Sequence, residues 1–194
     1  MLYLVTGIFR TGTNMMMLAL QAGGLVIPED VNKSMILRKD YPEERHPNVG
    51  GFFELDTMKL YSKDFQTDYD EKLIKVVFSS LRYVPEMPNG MRIVFMTRNP
   101  DEMLASANEF FPGMELEMKL ELERQDTKIE KLRARPDVKS LDVLKYQDVL
   151  KNPLEQFELL KQHGWPIDPV KCATIPNSKY NHFEETSHKD SINA

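Results

Sequence analysis

The chain has 194 residues, 41% hydrophobic and 28% charged, with a formal net charge of −5, a profile that suits one globular domain with its own core. A single cysteine, Cys172, excludes an internal disulfide and a thiolate metal cluster, and the acidic balance argues against broad binding to nucleic acid or anionic membranes. The apolar start from Met1 to Gly7 is too short for a membrane span and has no basic flank or cleavage site, so one reduced, cytoplasmic domain over 1–194 is expected.

Leu2 to Thr6 reads as a buried strand stopped by Gly7, and Asn14 to Ala22 as a helix ended by Gly23 and Gly24. Between them runs Gly7-Ile8-Phe9-Arg10-Thr11-Gly12-Thr13-Asn14. A glycine loop between a strand and a helix suits a phosphate, because backbone N–H groups and the helix N-terminus both favour an anion. The glycine spacing is that of a Walker A loop. However, Thr13 stands where its lysine belongs, and Asn14 where its magnesium-binding hydroxyl belongs. Arg10 lies within the loop and can supply cationic charge. The plainer alternative is an ordinary glycine turn.

Residues 28–51 are polar and rich in proline and glycine, a loop pattern, and Leu55 to Phe65 reads as a helix. Leu73 to Phe78 and Arg92 to Thr97 read as the second and third strands. A Walker B strand ends in Asp, whereas the third strand here runs into Arg98-Asn99-Pro100-Asp101-Glu102. An arginine at a strand's carboxyl end aims a planar donor fork at the ligand crevice. Pairing with a surface carboxylate such as Asp101 is the alternative. Pro100 opens a helix to Phe110 that carries Ser106.

Glu115 to Arg135 is a long charged helix. It reads as a solvated face, with a flap over a second substrate and a homodimer contact as further readings. Leu141 to Lys145 is a fourth strand, Pro153 to His163 a helix closed by Gly164, and 184–194 a loose tail. Met15, Met16 and Met17 read as core, Trp165 as a corner packer, and His163 as a favourable charge at a helix end. His182 and His188 are too scattered for a metal site. Strands alternating with helices predict an α/β three-layer sandwich around a mostly parallel sheet, with ligands beyond the strands' carboxyl ends.

Together the two loops resemble the sulfotransferase family, whose P-loop fold is nucleoside triphosphate hydrolase-like. Phe9-Arg10-Thr11-Gly12-Thr13 resembles its first motif. Arg98-Asn99-Pro100-Asp101-Glu102 with Ser106 resembles its second, the acidic residue being shifted by one. Gly51-Phe52-Phe53-Glu54, Lys75 in the second strand, and Leu144-Lys145-Tyr146-Gln147-Asp148 with Asn152-Pro153 are similar to further family segments.

The resemblance implies a metal-independent transfer of a sulfuryl group from 3′-phosphoadenosine 5′-phosphosulfate to a hydroxyl or amine on a small-molecule or glycan acceptor. It places Arg10, Thr11, Gly12, Thr13 and Asn14 at the 5′-phosphosulfate, and Arg98, Ser106 and Lys179 at the 3′-phosphate. Arg10 and Lys75 would then stabilise developing charge. Val77, which cannot take a proton, occupies the family's histidine position; other branches of the family use a glutamate, and Glu54, at the end of the Gly-aromatic segment, is the candidate base by that resemblance. Glu54 is equally placed to cap the next helix, and His46 is a second candidate base. A P-loop small-molecule kinase and a non-catalytic nucleotide-binding protein are the competing functions.

Overall fold

The computed structural model describes residues 1–29, 31, 53–110 and 112–176. Its strands are β1 (Leu2–Gly7), β2 (Leu73–Lys75), β3 (Met91–Thr97) and β4 (Val138–Lys145). They form one all-parallel sheet in the order β2-β1-β3-β4. Every residue of β1 is buried, which explains its unbroken apolar run. Leu4 sits level with Ile74 on one side and Ile93 on the other.

The helices are α1 (Thr13–Ala22), α2 (Phe65–Asp68), α3 (Pro100–Phe110), α4 (Glu115–Arg133), α5 (Tyr146–Lys151), α6 (Pro153–Gln162) and α7 (Pro169–Cys172). Alternation along a strand sends successive side chains to opposite faces. In β3, Arg92 reaches the His163 carbonyl at the end of α6, while the Phe95 ring meets Phe78 edge-on at 5.9 Å, beneath Lys128 of α4. The α1, α6 and α7 group therefore covers one face and α4 the other, giving an α/β sandwich. Met15, Met16 and Met17 are buried in the core as expected. Trp165 does pack a corner: its ring lies 5.5 Å from that of Tyr3, and its Nε1 donates to Asp142 at 3.0 Å. His163 also meets that carboxylate.

From β1 the chain crosses to β2 on one side, and from β3 it crosses to β4 on the other. The direction of winding reverses between β1 and β3. Such a reversal opens a crevice outside the carboxyl ends of the two central strands.

Three expectations change in detail. The helix expected from Leu55 to Phe65 is a 3-10 turn over Thr57–Tyr61, then the short α2. Ser62 is extended between them, and its hydroxyl accepts from the Asp64 N–H at 3.2 Å, a local bond that competes with helix continuation. β2 stops at Lys75, and Phe78–Tyr83 is a second 3-10 turn. β4 starts three residues before Leu141, with its Lys139, Val143 and Lys145 exposed. Most of the loop expected over 28–51 and the tail 184–194 lie outside the described residues. Among the described residues no helix is long and apolar enough to cross a membrane.

Candidate functional site

The crevice is built from the loop after β1, the loop after β3 and the end of β2. The loop after β1 is tightly wound. Thr11 is buried, and its hydroxyl and N–H both turn back to the Ile8 carbonyl, at 2.7 and 3.3 Å. Its role in the geometry is to hold the turn. Arg10 has φ +69° and Gly12 φ +87°, so the backbone doubles back twice within three residues before α1 starts. Arg10 adopts a conformation rare for residues with a Cβ, as happens where a loop must present its backbone in one way. Gly7 is forced by proximity: a Cβ there would lie 2.5 Å from the Met96 carbonyl oxygen of β3. No side chain caps α1, which leaves the partial positive charge of its N-terminus, at Gly12, Thr13 and Asn14, facing the crevice mouth.

The two arginines singled out in the sequence meet here. Arg98 Nη1 reaches the Arg10 backbone carbonyl at 3.4 Å, and Arg10 Nε donates to Ser106 Oγ at 2.9 Å. Ser106 is buried on α3, one strand over from the loop. Arg98 does not pair with Asp101. Its Nε donates to Glu102 Oε2 at 2.8 Å, one helical turn on, and Glu102 also accepts from Gln147 Nε2 at 3.0 Å. Burial works against the Glu102 carboxylate. Even so, the Arg98 and Gln147 hydrogen bonds hold its pKa below the usual range. The guanidinium carbon of Arg98 lies 4.4 Å from the centroid of the Tyr146 ring.

On the other flank, Lys75 ends β2 with a side chain only 5% exposed. Its ammonium donates to Asn14 Oδ1 in the first turn of α1 and lies 3.2 Å from Glu54 Oε1. Burial pushes the Lys75 pKa down, and Glu54 opposes this only in part. Glu54 does not cap the following turn; Asp56 does, accepting from the Met58 N–H at 2.9 Å. An isolated parallel bridge between Glu54 and Lys75 holds the carboxylate at the end of the sheet.

Arg10, Thr11, Gly12, Thr13, Asn14, Glu54, Lys75, Arg98 and Ser106 thus converge on one end of the sheet. Lys179, His46, His182 and His188 lie outside the described residues, as do Gly51 and Phe52. The sequence reading assigned no role to Glu102, Gln147 or Tyr146. The available signals were the i, i+4 spacing of Arg98 and Glu102 and the Tyr146-Gln147 pair directly after the fourth strand. An open groove lined by Gln66, Glu86, Met87, Asp137 and Lys139 lies at the opposite, amino end of the strands and shares none of these residues. Compared with known proteins, the chain matches no family model and no curated protein.

Proposed function

We propose that this chain is a sulfotransferase that takes the sulfuryl group of 3′-phosphoadenosine 5′-phosphosulfate to a hydroxyl or amine. The observation that carries the reading is the junction of Arg10, Arg98 and Ser106 at the reversal point of the sheet, with the buried ammonium of Lys75 on the far side of the loop. A nucleoside phosphorylated on both its 3′ and 5′ ribose oxygens needs two cationic grips close together, and Arg10 and Arg98 lie close enough to serve as them.

In this reading the donor supplies the sulfuryl group. The N-terminus of α1 and the Gly12 to Asn14 backbone hold its 5′ end, and Arg98 with Ser106 holds its 3′-phosphate. Arg10 and Lys75 stabilise charge on the departing phosphate oxygen, where fixed donors in a buried setting act without reorganising. Glu54, half exposed beside Lys75, takes the acceptor's proton. The Lys75 contact also bears on the kinase alternative. At the position where a Walker loop holds magnesium through a hydroxyl, Asn14 Oδ1 accepts from an ammonium group.

Thermal unfolding with added ligand tests this assignment. In EDTA, 3′,5′-adenosine bisphosphate at about a hundred times its Kd adds about 2.7 kcal/mol to the native state. That corresponds to a rise of roughly 5–10 °C in Tm for a chain of this size. A rise only with ATP and Mg²⁺ favours the kinase instead. A bisphosphate response with no sulfuryl transfer to any of a panel of alcohols and amines leaves a binding protein.

A further inference from the structure

Tyr146 touches both grips at once. It is the first residue of α5, directly after β4, and only 2% exposed. On one side a Cβ added at Gly12 would lie 2.4 Å from its Cδ2 and 2.8 Å from its Cε2, so the ring abuts the glycine-loop backbone. Over its face it carries the Arg98 guanidinium, whose carbon lies 4.4 Å from the ring centroid, a cation–π contact. The next residue, Gln147, bonds Glu102, which in turn holds Arg98 Nε. The β4–α5 junction therefore braces Arg98 from two directions while its ring forms a stop for the loop.

We propose that Tyr146 is a positioning residue that fixes the distance between the glycine loop and the Arg98 fork, so that the site selects nucleotides with two separated phosphates over those with one. This rests on the nucleotide-binding reading above. A monophosphate needs only the loop, whereas a bisphosphate needs loop and fork at a set separation. With the ring gone, the guanidinium has no face to lie on, whereas the glycine loop keeps the bonds from Thr11 to the Ile8 carbonyl that hold its own turn.

The test is calorimetric titration of wild type, Y146L and Y146F with 3′,5′-adenosine bisphosphate and with 5′-AMP, each variant first checked for a cooperative thermal transition. Charge-assisted hydrogen bonds are worth about one to two decades of affinity. Y146L should therefore cut the preference for the bisphosphate by about tenfold or more, while its 5′-AMP affinity stays within about threefold. Y146F keeps the ring and should retain the preference. Equal weakening of both ligands in Y146L, or no change in either, overturns the role of Tyr146 and leaves the nucleotide reading standing. If Y146L does not fold, loss of the preference in Y146F overturns the role, since the ring alone would then not suffice. A wild-type protein that binds neither nucleotide overturns the nucleotide reading and this role together.

Discussion

Burial weighs against the charged form of Lys75 and pushes its pKa down. Its ammonium is almost wholly buried and has Asn14 and a half-exposed Glu54 as partners. A lysine whose pKa is lowered on folding binds its proton less tightly in the native than in the unfolded chain. Between the two pKa values the unfolded state holds more protons, so stability rises with pH there. Lys75→Met keeps most of the side-chain length and removes the charge. We expect an unchanged or higher Tm at neutral pH, loss of the alkaline rise in stability, and sulfuryl transfer lower by about a hundredfold or more. Melting curves across pH and an initial-rate assay check this. A falling Tm with activity retained would mean that Lys75 serves the fold alone. The sequence pointed to Lys75 and Glu54 separately. Their pairing was not legible, because it depends on a backbone bridge between segments 21 residues apart.

At the scale of elements, the glycine loop owes its shape to neighbours that are distant in sequence. Its strand–glycine–helix context could be read directly, because the buried apolar run, the glycines and the helix start are adjacent along the chain. The need for glycine at 12 could not. It comes from a positive φ and from the Tyr146 ring, brought in from the end of β4. Gly12→Ala therefore meets strain and a clash together. It should lower stability by about 1–3 kcal/mol and weaken bisphosphate binding, read by urea unfolding and by titration. Unchanged stability would contradict the close packing of ring and loop. The broken helix at 55–65 shows the opposite limit. Its composition suits a helix, yet the Asp56 carboxylate and the Ser62 hydroxyl accept from nearby backbone N–H groups and divide it into two short turns.

For the whole molecule, strand order is what turns a pair of motifs into a site. Alternating strands and helices imply a parallel sheet, and that architecture is present with the expected helices on both faces. Which strands lie side by side is set by tertiary packing and is not written in hydrophobic periodicity. With β1 and β3 adjacent and winding in opposite directions, the loop bearing Arg10 and the turn bearing Arg98 must share one crevice. The account depends on those two arginines gripping one bisphosphorylated nucleotide. Its most direct test is titration of Arg98→Ala with 3′,5′-adenosine bisphosphate in EDTA. The account predicts affinity about 10–100-fold weaker than wild type, with 5′-AMP binding nearly unaltered; an Arg98→Ala protein that binds the bisphosphate as tightly as wild type would contradict it.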